Sequence, residues 1–583
     1  MAYFLRKEKR KNGVYLQMYE NYWDADVKQG RTRHVQSFGF VDDLVTDEIP
    51  DPVAYYAEYV RQKEEERRRM IDDSTRPRAF DASVEKNAGY FLISALMKEL
   101  NVEEVIGILA SVKQFRFSLY EMMEDLIYAR IIDPCSKSKT VSSVFPLLFN
   151  GGAISEDQVY DGCFFIGETY EKYIELFNKQ YENLFPRRFD KTFFDCTNYY
   201  FEIDLPGEDR QKGPSKENRH EPIIGQALLL DADLVPLGMK MYPGNESEKP
   251  YIRRAIEDMK RRYNVSGKTI QVADKGLNCA RNIYAAVVES SDGYIFSKSV
   301  HGKALSKEEK AWVLLEDGGA NRYTEYRDAA GKVLYRIKSC IDTFTYDFKE
   351  TDPVTGKETV TRFSVKEKRV VSYNPSLAAK QKAEILKQVE KVSNCLSYKK
   401  IAREELGDAV KYVSISNVDR AGKKVKPVVV IDQNKVDEDL RFAGYNLLVT
   451  SETDMHSEEI YRTYHDLWKI EESFRITKSF LDARPVYVQK KETIYGHFLI
   501  CYLSLFLLRV LEIKCFENKV NSTDIIRFVR DFRIVKKDDK TWINLVHDRE
   551  AVEKMKAVTG LTLLDALYLS DTEVSDLFHK FTL

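Results

Sequence analysis

The chain has 583 residues, of which 43% are hydrophobic, 12% aromatic and 31% charged. That is enough apolar material for sizeable cores and excludes an intrinsically disordered chain. With 27 Gly and 16 Pro it is neither collagen-like nor a Pro-rich linker, and 90 Lys plus Arg against 92 Asp plus Glu give a net charge of −2, so no globally basic chain argues for nucleic-acid binding, although local basic patches stay open.

At roughly 150 residues per domain the length allows about four domains. The eight cysteines, Cys135, Cys163, Cys196, Cys279, Cys340, Cys395, Cys501 and Cys515, include no Cys-x-x-Cys pair. They form neither a dense disulfide framework nor a zinc spacing, and read as reduced thiols of a reducing compartment. Met1 to Gly13 is polar and basic, without the apolar core of a secretory signal. The longest apolar run, Phe498 to Leu508, is eleven residues long and flanked by His497 and Arg509. A bilayer needs about 20, so this run predicts a buried core helix in a cytoplasmic protein that does not meet a membrane.

Residues 1–50 predict a small β module, with strands at Tyr15 to Tyr19 and His34 to Phe38 and a hairpin turn at Asn12-Gly13. Over residues 1–36 eight Lys and Arg face four Asp and Glu, which suits either a solvated sheet or a module touching nucleic-acid phosphates. Residues 52–70 predict a charged helix, broken at Asp73 to Arg78. Helical spacing of apolar residues then dominates 88–185, for example Leu92, Leu96 and Leu100; 51–185 is taken as one helical region.

Near residue 190 the pattern changes. Strand-like runs lie at Asp190 to Thr197, Tyr199 to Ile203, Ile223 to Leu230 and Val235 to Met241. A helix is predicted over Pro250 to Tyr263, a strand over Thr269 to Ala273, a helix over Cys279 to Glu289 and a strand over Tyr294 to Ser297. Three strands followed by alternating helices and strands predict an α/β core over 186–299. Residues 300–440 read as a β-rich insertion with one helix at Ala378 to Val392. The core resumes over 441–515, with a strand at Tyr445 to Thr450 and helices at Glu458 to Phe480 and Thr493 to Ile513; 516–583 predicts a helical end.

Three carboxylates stand out. Asp195 follows Phe193-Phe194 inside an apolar strand, where a carboxylate is costly unless it is paired or binds a metal. Asp274 lies where a short apolar strand ends, the edge at which α/β sheets build sites. Glu471 lies in a helix, with Tyr464, Arg475 and Lys478 at offsets that share its face. Two strand carboxylates and one helix carboxylate can hold two hard cations such as Mg²⁺. Taken singly, each is equally an ordinary ion-pairing residue.

Together these residues resemble a known family. Tyr464-x2-Leu467-x3-Glu471-x6-Lys478 is similar to the Tyr-Arg-Glu-Lys signature of insertion-sequence DDE transposases. Ala129 to Lys137, Phe194 to Thr197, Gly213 to Arg219, Gly244 to Ser247, Ala273 to Gly276 and Arg484 to Val488 resemble family segments in the expected order. The resemblance runs from about residue 85 to 510. It implies a ribonuclease-H-like catalytic core, interrupted by an insertion that fills the 197 residues from Asp274 to Glu471. It implies that Asp195, Asp274 and Glu471 are catalytic and ligate two Mg²⁺ ions, for which Mn²⁺ can substitute. It implies that Tyr464, Arg475, Lys478, Lys216 and Arg219 contact DNA, and that the partners are double-stranded DNA with terminal inverted repeats, target DNA and a second copy of the chain. The family's Arg position is Leu467 here, which cannot hold a phosphate. A nuclease of the same fold without strand transfer, and an inactive DNA-binding derivative, are the alternatives.

Overall fold

The first 40 residues form a three-stranded antiparallel meander of β1 (Ala2–Arg10), β2 (Gly13–Asp24) and β3 (Gln29–Phe40). The computed structural model describes residues 2–24, 29–75, 85–151, 153–202, 205–216, 220–302, 304–315, 322–352, 355–396, 407–418, 424–484 and 486–583. It divides into two compact units, 1–83 and 84–583. In the first unit Arg10 pairs with Gly13, so the tight turn is Lys11-Asn12, one residue earlier than the sequence suggests, and Gly13 opens β2 at φ +122°. Leu16, Met18 and Glu20 alternate onto one buried face of β2. The Pro52–Thr75 helix packs on this sheet. The N–H of Tyr3 donates to Glu64 Oε2 at 2.9 Å, and Phe38 stacks on Tyr56 at 4.3 Å between centroids.

The second unit begins with β4 (Lys86–Asn87) and helices at Phe91–Glu99, Glu103–Ala110, Leu119–Ile132, Glu156–Glu168 and Tyr170–Leu184. The predicted α/β segment then builds β5 (Lys191–Tyr200), β6 (Ile223–Leu230), β7 (Pro236–Pro243), β8 (Ile270–Ala273) and β9 (Gly293–Lys298). The expected second strand from Tyr199 is instead the end of β5, which runs unbroken to Tyr200. The β-rich stretch supplies β10 (Thr324–Arg327), β11 (Val333–Thr351) and β12 (Glu358–Tyr373), a separate pair β13 (Val413–Val418) and β14 (Lys424–Ile431), and a helix at Pro375–Leu396. Then follows β15 (Tyr445–Thr450).

Nine of these strands form one mixed sheet in the order β10-β11-β12-β15-β9-β8-β5-β6-β7. β5, β8 and β9 run parallel to one another; β6 and β7 continue antiparallel on one side, and β15 antiparallel beyond β9. β6 is buried at every residue, as expected of a strand covered on both faces. On β5, Phe193 joins the core of the N-terminal and C-terminal helices, while Phe194 joins the core under the Lys249–Arg262 helix. Successive side chains therefore reach opposite layers.

The predicted helix Thr493 to Ile513 is an α-helix over Lys491–Val510 that ends in a π turn. Among the described residues the stretch Lys491–Cys515 is long and apolar enough to cross a membrane, and 94% of its apolar 18-residue window is buried inside the protein. Its backbone touches that of the Glu156–Glu168 helix. A Cβ placed on Gly496 would lie 2.0 Å from the Cys163 carbonyl oxygen, and one on Gly167 1.7 Å from that of Glu492. The C-terminal strands β16 (Arg533–Asp538), β17 (Thr541–Asn544) and β18 (Tyr568–Ser570) return to β4 in the sheet β18-β17-β16-β4. Cys135, Cys163, Cys196, Cys279, Cys340, Cys501 and Cys515 are free thiols.

Candidate active site

In the parallel pair β5–β8, Phe194 lies opposite Ala273. The next residue in each segment is an aspartate: Asp195 continues within β5, and Asp274 directly follows the end of β8, so the two lie side by side. By alternation Asp195 shares the face of Phe193. Ile470 and Phe474 pack into the core on that face, which brings the helix carrying Glu471 over the strand ends.

That helix is not the continuous element its periodicity suggests. It consists of Ser457–His465, a turn at Asp466-Leu467, Trp468–Arg475 and a π turn over Ile476–Phe480. Leu467 sits in the turn at 6% exposure, inside the core. An apolar side chain suits this place, where it contributes to packing. Arg462, a neighbouring cation, is ion-paired with Glu458. The π turn widens the helix and shifts Lys478 relative to Glu471; such turns occur often at functional sites.

The hydroxyl of Tyr464 donates to Asp274 Oδ1 at 2.9 Å. Burial, then the charge of Asp274, holds the Tyr464 hydroxyl above the ordinary phenol range. The same two causes, in the same order, raise the carboxyl of Glu471. For Asp195 burial dominates. The Lys216 ammonium and the Cys196 N–H, which donates to Asp195 Oδ1 at 2.7 Å, oppose it, the charges of Asp274 and Glu248 add to it, and the net carboxyl is pushed up to about 7.

Glu248 is the residue that sequence reasoning missed. It directly precedes the Lys249–Arg262 helix without capping it through its side chain, and its carboxylate presses against the backbone just beyond Asp274: a Cβ on Gly276 would lie 2.6 Å from Glu248 Oε1. Lys216 Nζ lies 3.2 Å from Glu248 Oε2 and 3.9 Å from Asp195 Oδ1, and donates to the Cys196 carbonyl. The only sequence signal for Glu248 was a helix-start position close to the Gly244 to Ser247 loop.

The residues expected at this site are thus distributed unevenly. Asp195, Asp274, Glu471, Tyr464 and Lys216 come together, with Lys216 turned in among the acids. Lys478 Nζ lies 5.3 Å from the ring of Tyr199, farther along the Asp195 face of β5. Arg475 is exposed on the flank, 3.6 Å from Glu472 Oε1. Arg219 lies outside the described residues.

The donor set consists of carboxylate oxygens, the chemistry preferred by hard divalent cations. A lysine ammonium already lies between two of the acids, so the cluster has a built demand for positive charge. Among the described residues no three His, Cys, Asp or Glu side chains converge closely enough to hold an ion as they stand.

No protein-family model matches this chain, and no curated protein sequence does. Among solved structures the chain is similar to a piggyBac transposase synaptic complex with hairpin DNA, determined by cryo-electron microscopy. The TM-score is 0.24 at 11% identity over 78% of this chain and 87% of that chain, a likeness too slight to bear on fold or function. Fold and site together define a mixed α/β protein with an acidic cluster where β8 ends beside the middle of β5.

Proposed function

We propose that the protein is a DNA transposase of the DDE kind that acts on the ends of its own element. The observation that carries this reading is the placement of Asp195 in the middle of β5 beside Asp274, which directly follows the end of β8, with Tyr464 of the signature segment bonded to Asp274. Three antiparallel strands, β7-β6-β5, continued by the parallel strands β8 and β9, form the ribonuclease-H-like core of this reading.

Asp195, Asp274 and Glu471 would hold two Mg²⁺ ions, with Glu248 as a further acid beside them. Bound divalent cations supply charge stabilisation to the attacking and leaving oxygens of a phosphodiester. Tyr464 fixes the orientation of Asp274, and Lys216 neutralises the acids while no other cation is present. Lys478 and Arg475 position DNA phosphates. DNA with terminal inverted repeats and target DNA are the substrates, and two copies of the chain bring two ends together.

The test is cleavage and joining of DNA that carries the sequences flanking the gene, with and without Mg²⁺ or Mn²⁺. Metal-dependent nicking and joining in the wild type, absent in Asp195→Asn, is the expected result. Cleavage without joining identifies a nuclease instead. End binding without chemistry in either protein overturns the catalytic reading.

A further inference from the structure

Far along the chain from the acid cluster, residues 90–150 and 536–579 enclose a cavity of about 640 Å³. That is within the range of pockets that take small ligands. Its wall is a connected series of aromatic rings. Tyr128 lies 4.6 Å from Tyr90, Tyr90 4.8 Å from Phe578, Phe578 5.0 Å from Phe149, and Phe149 5.8 Å from Trp542, between centroids.

Three carboxylates line the cavity among these rings, Glu124, Asp125 and Asp571. Glu124 is satisfied: it accepts from the hydroxyls of Tyr120, at 3.0 Å, and Tyr128. Asp125 is not. It lines the cavity at 8% exposure and has neither a hydrogen bond nor an ion pair among the described residues. Burial, then the like charges of Glu124 and Glu121, pushes its carboxyl up to about 7. A buried, unpaired carboxylate is costly, and nothing in the chain offsets it. The lysines that line the cavity bond other groups of its wall and not Asp125: Lys98 donates to the Phe578 carbonyl, and Lys536 bonds both oxygens of Asp571 at 2.8 and 3.0 Å.

The cavity already shows which chemistry its walls favour. Lys536 Nζ lies 4.8 Å from the ring of Trp542, an ammonium over an aromatic face. Aromatic faces with a carboxylate among them attract cations that are weakly hydrated. We infer that this cavity binds a small organic cation of the alkylammonium kind, with Asp125 as its counter-charge and the rings of Tyr90, Phe578 and Trp542 around its methyl or methylene groups. The inference does not depend on the proposed DNA chemistry.

The probes are choline and 3,3-dimethylbutan-1-ol, which has the same shape without the charge. Titration calorimetry on the full chain is expected to show saturable choline binding at millimolar concentration or below. The neutral alcohol is expected to bind at least about tenfold more weakly, because only the charge differs. Asp125→Asn, with a melting transition retained, is expected to lose choline binding by a similar factor. If that variant does not fold, Phe578→Leu, which removes one wall ring, serves in its place. Absence of saturable choline binding to the wild type, equal binding of the alcohol, or unchanged affinity in the folded variant overturns the inference.

Discussion

Arg509 and Glu472, 37 residues apart, are ion-paired at 2.9 Å between Nη1 and Oε2, and the arginine side chain has no solvent exposure. The same nitrogen bonds Glu512 at 2.8 Å, Lys469 bonds Glu472 at 3.1 Å and Glu512 at 2.7 Å, and Arg509 Nη2 donates to Ser473 Oγ at 3.0 Å. Glu472 is the immediate neighbour of Glu471. This buried network therefore fixes the helix that presents Glu471, while Glu471 itself faces the strand ends. Removing one member of a buried charge network leaves the others uncompensated, at a cost of about 3–5 kcal/mol. Arg509→Met is expected to lower the free energy of unfolding by that amount. An unchanged denaturant midpoint would show that the network holds nothing in place.

Tyr464→Phe deletes one hydroxyl and one hydrogen bond to Asp274. Its stability effect is expected to be small, about 1 kcal/mol. Its effect on DNA cleavage is expected to be larger, on the order of 10–100-fold in kcat, as for partners that orient a ligating carboxylate. Equal cleavage rates for variant and wild type, measured at saturating DNA, would remove the positioning role.

Asp195 ties stability to pH. Its folded-state carboxyl lies near 7 against an ordinary 3.8. A raised carboxyl contributes stability that is present below about pH 4 and lost as the pH rises through about 7. Asn does not ionise, so Asp195→Asn escapes the loss. In metal-free buffer the variant is expected to become more stable than the wild type between these limits, by on the order of 2–4 kcal/mol, and the gap to level off above pH 7. Parallel stability curves for the two proteins across this range would contradict the burial of an ionising Asp195.

Divalent cations act in the opposite direction on the same group. Mg²⁺ or Mn²⁺ is expected to raise the melting temperature of the wild type, more at pH 8 than at pH 6, because binding requires the ionised carboxylate. The increment is expected to vanish in Asp195→Asn and in Asp274→Asn. Thermal melts with and without the cation read the result; an equal increment in both variants would place the cation elsewhere.

Gly496→Ala tests the backbone contact of two helices. The added methyl meets the Cys163 carbonyl oxygen at 2.0 Å, so the Lys491–Val510 helix must move. Overpacking of this kind costs about 1–3 kcal/mol. A chemical-denaturation midpoint equal to the wild type would mean that the two helices can separate freely.

The strand carboxylates were legible in the sequence because strand alternation and strand ends are local. Phe193-Phe194 before Asp195 and the short run before Asp274 were sufficient to place them. The interruption at Asp466-Leu467 was hidden because Leu467 fits the apolar period of the helix on either side. Glu248 was hidden because its importance comes from Lys216 and Gly276, both distant in sequence. Arg509 was visible only as the charged flank of an apolar run, since its partner Glu472 lies on another helix. The aromatic cavity around Asp125 unites segments more than 380 residues apart, beyond the reach of any periodicity.

The separation between the acids has a consequence for synthesis of the chain. Asp195 and Asp274 are 79 residues apart, whereas Glu471 follows 197 residues later and its helix is anchored by Arg509 and Glu512. A nascent chain that has emerged only through β9 carries two acids without the third. Domains fold as they leave the ribosome, N-terminal parts first, but this acid set is complete only when residue 512 is free to dock. Any activity that depends on all three acids therefore waits until this last segment has docked.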